Sequence, residues 1–377
     1  MIRILSPRNK SNTEVAGRLQ SLDALRGFDM FWIVGGEGIV HALKEATGWG
    51  WTIWLSGQLD HVQWNGFRFY DLIFPLFLFL SGATMPFSLT RKIEAGVPKN
   101  KIYWSVTRRG LILVLLGCIY NGLLRFDFEH QRYASVLAQI GIAYMFAAYF
   151  FLNTKWKGQA LWAAGIVLFY WAIMKLIPVP GYGAGDLTRE GNLATYIDQL
   201  LLPGTMHEGI FDPEGILVKL PATATALLGA LAGWWLKQGK IKDYRKVGYM
   251  VSGAIVLLLF AYLVGMSFPV NKKLWSSSFV LHTAAISTLL LATFYLVIDL
   301  WQFRRWAFFF IVIGMNPITI YMATGIIDFW HISDYFLGGA ARLTGESWGN
   351  VILAIGVVIT EWGFLYFLYR KRIFLKV

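Results

Sequence analysis

The chain has 377 residues, of which 56% are hydrophobic and only 15% charged, with a net charge of +12. This composition excludes an ordinary soluble domain, because apolar runs of roughly twenty residues, the length that crosses a hydrocarbon core, recur from end to end. A nucleic-acid partner is excluded as well, since the basic residues alternate with the apolar runs and form no single patch.

The N-terminus carries Arg3, Arg8, Lys10 and Arg18 with no apolar core before them. No cleavable signal peptide is therefore expected, and the first span doubles as the targeting signal. Helical spans are predicted near 23–42, 68–90, 106–125, 135–152, 159–177, 218–236, 246–267, 277–299, 306–326 and 350–369. Many of the tryptophans fall beside the ends of these runs, as an interfacial belt requires. Basic loops carry Arg91, Lys92, Lys99 and Lys101, then Lys155 and Lys157, then Lys237, Lys240, Lys242, Arg245 and Lys246, and finally Arg304, Arg305 and Arg370 to Arg372. Most acids lie in the intervening loops, at Glu45, Asp60, Asp127, Glu129, Asp186, Glu190, Asp198, Glu208, Asp212 and Glu214. An even number of spans puts all the basic loops on one side, and the positive-inside rule makes that side the cytoplasm. The expectation is an all-α integral membrane protein, a bundle of about ten transmembrane helices with both termini cytoplasmic. It forms a single domain over 1–377, with tails 1–20 and 370–377. The loop holding His61, the segment 178–217 and the loop at Lys272-Lys273 then face outward.

Charged side chains are expensive in hydrocarbon and mark function where they gather. The first span holds Asp23, Arg26, Asp29 and Glu37. On an uninterrupted helix Arg26 and Glu37 are eleven residues apart and share a face, about 16 Å apart along the axis. Asp23 and Arg26 read either as an ion pair at the cytoplasmic boundary or as part of a polar track. Glu37, flanked by Gly35, Gly36 and Gly38, stands where small residues let a helix or a ligand approach the backbone. His282 and Glu361 each stand alone in an apolar run, where an interhelical hydrogen bond would satisfy them. His41 and His331 sit near outer boundaries, and His130 and His207 in outer loops. The single cysteine, Cys118, lies in an apolar run and reads as packing. No histidine or cysteine pair has metal-ligand spacing, so no metal is expected; no P-loop, dinucleotide fingerprint or Gly-x-Ser-x-Gly elbow occurs.

One short run stands apart. His61-Val-Gln-Trp64-Asn65-Gly66 leads into Tyr70-Asp71-Leu-Ile-Phe-Pro75, placing a histidine, an amide and a carboxylate at the mouth of a strongly apolar segment. Arg18-Leu-Gln-Ser-Leu-Asp-Ala-Leu-Arg26-Gly27 precedes it; Gly82, Val136-Leu137, Ile140-Gly141, Tyr144, Asp212-Pro-Glu-Gly-Ile-Leu217, Asn271-Lys-Lys-Leu-Trp275, Gly314-Met-Asn316 and Tyr321 follow in order. Together these motifs resemble the heparan-α-glucosaminide N-acetyltransferase family across nearly the whole membrane domain. Two positions depart from the family: an asparagine of its first span falls near Glu37, and its Gln-Arg before Ile-Gly reads Ala138-Gln139 here.

The resemblance implies a bacterial relative in the inner membrane. It would transfer acetyl from cytoplasmic acetyl-CoA to the amine of glucosamine or a terminal glucosaminide on the far side, with a homodimer as a possible assembly. The family's active-site histidine matches His61. A histidine accepts a proton near neutral pH, and Glu37 or Asp71 would orient it or favour its protonated form. Asn65 or a nearby backbone N–H would stabilise the oxyanion. Direct transfer is the expected route, and an acetyl-histidine intermediate is the other. Arg26, Arg108 and Arg109 are candidate phosphate contacts for the cofactor, although Arg108 and Arg109 also read as positive-inside anchors. Asp212, Glu214, Lys273 and Trp275 are candidate sugar contacts, or solvated loop residues. The rival readings are a membrane O-acyltransferase acting on a glycan hydroxyl, and a sugar or anion transporter. The latter calls for inverted repeats or paired half-helices, which the sequence lacks.

Overall fold

The computed structural model describes residues 19–375 except Lys240. Arg3, Arg8, Lys10, Arg18, Lys240 and the last two residues lie outside the described residues, so the tails expected at 1–20 and 370–377 are described only in part. In chain order the helices are α1 Gln20–Phe31, a π-helical segment Trp32–Gly36, α2 Glu37–Thr47, α3 Gly50–Gln58, α4 Phe69–Ala83, α5 Met85–Glu94, α6 Lys99–Tyr120, α7 Val136–Asn153 and α8 Trp156–Leu176. There follow α9 Leu193–Leu201, α10 Lys219–Lys237, α11 Asp243–Gly265, α12 Ser277–Phe294, a second π-helical segment Tyr295–Leu300, α13 Ala307–Gly314, α14 Pro317–Thr324, α15 Phe329–Leu343 and α16 Glu346–Arg370.

A helix occupies the core of every stretch predicted as a span. Seven of the described helices are long and apolar enough to cross a membrane, or eight if α13 and α14, bent by 74° at Met315-Asn316, form one span. The chain is a multi-pass helical membrane protein. α11 shows what the bilayer does to composition: its apolar stretch has a mean hydropathy of 2.3, yet only 17% of it is buried. An apolar helix exposed all along its length is stable only against lipid. α10 is the opposite case. Its Ala, Gly and Thr residues are nearly all buried, because small side chains let backbones meet where no hydrophobic effect drives association.

The first span departs from the straight helix read from sequence. Gly35 takes φ 157° and ψ −14° inside the π-helical segment, and the helix is broken there. The extra residue in the turn shifts the phase of everything after it, so the eleven-residue spacing no longer puts Arg26 and Glu37 on one face. α4 carries an internal proline, Pro75. Without an N–H, Pro75 cannot bond the carbonyl of Asp71 four residues back, and membrane helices tolerate this.

The chain packs as two compact units. The first takes residues 19–61, 68–73 and 290–375. In it α1 and α13 cross at glycines: a Cβ on Gly27 would lie 1.7 Å from the Phe310 carbonyl oxygen, and one on Gly314 would lie 2.0 Å from that of Asp23. Beside this crossing the Phe28 ring meets those of Trp32, Phe69, Phe294 and Phe310. A second core, Ala42 with Val351 and Ala354, joins α2 to α16. The second unit takes residues 62–67 and 74–289. There α10 lies directly on α4, where Cβ atoms on Gly229 and Gly82 would meet the carbonyls of Phe79 and Ala226 at 2.0 and 1.9 Å. The segment 178–217 holds a two-stranded hairpin, Pro178–Val179 with Gly183–Ala184, and α9.

Candidate functional site

His61 and Asp71 meet within the first unit, one in the loop after α3 and the other in the first turn of α4. His61 Nδ1 lies 2.8 Å from Asp71 Oδ1. Asp71 is fully buried while the His61 side chain is 45% exposed, so the pair has one sheltered and one accessible member. The Arg68 backbone N–H donates to the other carboxylate oxygen at 3.0 Å, which fixes the acid from the opposite side. The start of a helix also favours a carboxylate, because unpaired N–H groups point out of it. A carboxylate only accepts hydrogen bonds, so Nδ1 carries the proton and the basic lone pair sits on Nε2. This is the orientation that a general base requires.

Tyr70 extends the pair. Its ring centroid is 4.8 Å from that of His61, and its hydroxyl lies near the Glu37 carboxylate. Glu37 opens α2 directly after the Gly35 break. Glu37, Tyr70, His61 and Asp71 therefore form one connected set inside the first unit. Tyr70 is the member that sequence reasoning missed; its place beside Asp71 at a helix start was visible, but its reach to Glu37 depends on the break in the first span.

Arg26 pairs with Asp23 at 3.3 Å across one turn of α1. Asp29, one turn further on, is completely buried, and neither of its carboxylate oxygens has a hydrogen-bond partner among the described residues. In the second unit, Arg108 is exposed. Arg109 lays its guanidinium 4.3 Å from the Tyr144 ring centroid, a cation–π contact across α6 and α7. Asn65 belongs to the second unit too, where its Oδ1 accepts from Asn271 Nδ2 at 3.1 Å.

The charged residues expected in outer segments are matched within the fold. Arg132 grips Asp212 with two hydrogen bonds, Nε to Oδ2 at 2.7 Å and Nη2 to Oδ1 at 2.8 Å, and also contacts Glu214. Burial opposes the Asp212 charge, yet the Arg132 hydrogen bonds and positive charge hold its carboxyl below the usual range. Lys273 pairs with Glu208, which Arg189 also reaches at 3.0 Å. Trp275 is buried against Phe74 and donates its indole N–H to Thr225 at 3.1 Å. Among the described residues no group of three or more His, Cys, Asp or Glu side chains is placed to hold a metal ion.

Fold and pair together define a multi-pass α-helical membrane protein with a carboxylate-oriented histidine. Comparison with known proteins gives that class a neighbourhood. Residues 18–187, which include His61, Asn65 and Asp71, match a family described as "Domain of unknown function (DUF5009)". Over 96% of its length the chain is 26% identical to the heparan-alpha-glucosaminide N-acetyltransferases of Mus musculus and Homo sapiens. It spans 61% and 60% of those two relatives. The chain is a distant relative of the heparan-α-glucosaminide N-acetyltransferases, as its motifs indicated.

Proposed function

We propose that the protein is a transmembrane acetyltransferase of the bacterial inner membrane. It moves acetyl from cytoplasmic acetyl-CoA to the amine of glucosamine or a terminal glucosaminide on the periplasmic side. The observation that carries this reading is the 2.8 Å His61–Asp71 pair, in a chain aligned over 96% of its length with two N-acetyltransferases. In this reading about ten segments cross the membrane and both termini are cytoplasmic.

The chemistry assigns roles as follows. The neutral amine nitrogen attacks the thioester carbonyl while His61 Nε2 takes the proton that the nitrogen must shed. The C–S bond then breaks, and the CoA sulfur leaves with a proton returned from the imidazole. Asp71 holds the ring and favours the imidazolium formed on the way, as the acid of a triad does. Asn65 is the donor for the oxyanion. Arg26, Arg108 and Arg109 are assigned to the phosphates of the cofactor, since guanidinium groups suit bidentate phosphate contacts. Asp212, Glu214, Lys273 and Trp275 are assigned to shaping the outer segments around the acceptor, because their polar groups are already engaged.

The test is acetyl transfer by proteoliposomes loaded with labelled acetyl-CoA and offered glucosamine, N-acetylglucosamine and longer glucosaminides. Wild type should acetylate amines, and His61→Ala should lose about 10²- to 10⁴-fold in rate. Transfer to no amine, or full activity in His61→Ala, would overturn the proposal. Transfer to the hydroxyls of N-acetylglucosamine alone would make the protein an O-acyltransferase.

A further inference from the structure

A cavity of about 540 Å³ opens within the first unit, between the Gly35 break, the turn from α14 to α15 and the middle of α16. Its size falls in the range of roughly 300–1,000 Å³ typical of small-ligand pockets. Most of its wall is apolar, with Trp330 and Phe329 on one side, but Glu37 and Glu361 both line it. Glu361 is 3% exposed, and its Oε2 has no hydrogen-bond partner among the described residues. The interhelical hydrogen bond expected for Glu361 from sequence is therefore absent at that oxygen. Among the described residues no lysine, arginine or histidine lines the cavity.

A buried carboxylate with an unmet oxygen costs several kcal/mol unless a proton or a cation meets it. That oxygen has no solvent contact of its own, while the Glu361 side chain forms part of the cavity wall. The glycine at the break packs closely beside this carboxylate, since a Cβ on Gly35 would lie 3.0 Å from Val358 Cγ2 and 3.5 Å from Glu361 Oε2. Its backbone, at φ 157°, is also one that side-chain-bearing residues rarely adopt. Three carboxylate residues, Glu37, Asp328 and Glu361, and no cation among the described residues, in a largely apolar chamber far larger than a bare ion, select an organic cation. The aromatic rings at Phe329 and Trp330 offer flat apolar faces for the C–H side of a sugar ring.

We propose that this cavity is the binding site for the protonated amine of an amino sugar, with the buried Glu361 carboxylate holding the ammonium group. This rests on the acetyltransferase reading and names where its acceptor is held. Glu37, on the wall of the same cavity, faces Tyr70, whose ring lies beside His61. Glu37 and Tyr70 thus stand between the cavity and the base, so the amino sugar is captured on Glu361 and its amine moves to His61 for deprotonation and transfer. Glu361 is a binding residue, and the charge it recognises is the one that separates glucosamine from its acetylated product. The product has no ammonium and leaves a site built for one.

The test uses the full chain in lipid nanodiscs without acetyl-CoA, with glucosamine as probe and glucose, N-acetylglucosamine and sodium chloride as controls. Glucosamine should bind wild type at least tenfold more tightly than glucose or N-acetylglucosamine, and Glu361→Gln should weaken it by about 10- to 100-fold. Ile326→Trp, at an exposed position on the cavity wall (78% exposed), should weaken glucosamine without disturbing the core and serves where Glu361→Gln does not fold. In acetyl transfer, Glu361→Gln should raise KM for glucosamine by a similar factor and leave KM for acetyl-CoA unchanged. Equal affinity of wild type and both variants for glucosamine, or displacement of glucosamine by sodium at equal concentration, would overturn the inference. The two readings fail separately. Acetylation with an unchanged glucosamine KM in Glu361→Gln removes the cavity site and leaves the activity. Glu361-dependent glucosamine binding without any acetyl transfer keeps the site and removes the activity.

Discussion

At the scale of single residues, the arrangement turns on which carboxylates have partners. Asp71 is held by the His61 ring and the Arg68 N–H, and it serves as a fixed anchor. Glu361 and Asp29 retain oxygens unmet among the described residues. Asp198, on α9 between the spans, shows the cost of such an oxygen in a form that pH can read. Its Oδ1 accepts from the Ile216 N–H at 2.7 Å, while its Oδ2 has no partner among the described residues. Burial, the largest influence, raises its pKa from 3.8 to about 6. The folded state therefore holds a proton that the unfolded chain has already lost between about pH 4 and pH 6. Stability conferred by this group falls as pH rises through that window and is level above it. Asp198→Asn keeps the acceptor for Ile216 and removes the charge. It should raise thermal stability at about pH 7.5 by up to about 3 kcal/mol, and the gain should vanish near pH 4. Melting curves in detergent at the two pH values decide it, and a gain of equal size at both would refute the assignment.

At the scale of elements, close helix crossings at glycine organise both units. The sequence offers many glycines, and periodicity alone does not say which are contacts. The structure separates them: a Cβ on Gly314 would lie 2.0 Å from the Asp23 carbonyl, whereas one on Gly253, in the lipid-facing α11, would meet nothing within 4 Å. Gly314→Ala should destabilise the protein by roughly 2 kcal/mol or more, because backbone cannot move aside as a side-chain tip can. Gly253→Ala should be neutral or stabilising by up to about 1 kcal/mol, through helix propensity. Thermal unfolding of the two variants side by side is the check, and equal behaviour would contradict the crossing. The helices α3, α9 and α15, by contrast, fell in stretches read as loops. Each lies between apolar spans, and each is too short or too mixed in polarity for span-length hydropathy to detect. At the start of α3 and along it, Trp49, which precedes the helix, and Trp51 and Trp54 are all exposed, as suits a helix seated at a membrane interface.

At the scale of the whole molecule, the alternation of basic and acidic loops makes a prediction about sides. In a Cys118→Ser background, His207→Cys should react with a membrane-impermeant thiol reagent added outside intact cells, and Lys157→Cys should react only after permeabilisation. Both positions are exposed, so failure to react reports sidedness. The reverse pattern would invert the topology and, with it, the compartment of the His61 loop.

Much of this protein was legible in its amino-acid order. Hydropathy placed a helix at every predicted span because a hydrocarbon core demands long apolar segments whatever they pack against. The histidine and the carboxylate of the candidate site were legible too, since titratable groups at the mouth of an apolar run are too costly to be accidental. What remained hidden depended on distance and phase. A single glycine break in the first span undoes the face shared by Arg26 and Glu37, and no local pattern announces an extra residue in a turn. The choice of Asp71 over Glu37 as the partner of His61, the tyrosine that links Glu37 to that pair, and the cavity that Glu361 lines were decided only in the folded molecule. Composition and periodicity determine which segments enter the membrane, because the bilayer acts on each segment separately. Which buried charge finds a partner and which is left facing a cavity depends on how the helices pack against one another, and the tertiary structure alone decides that.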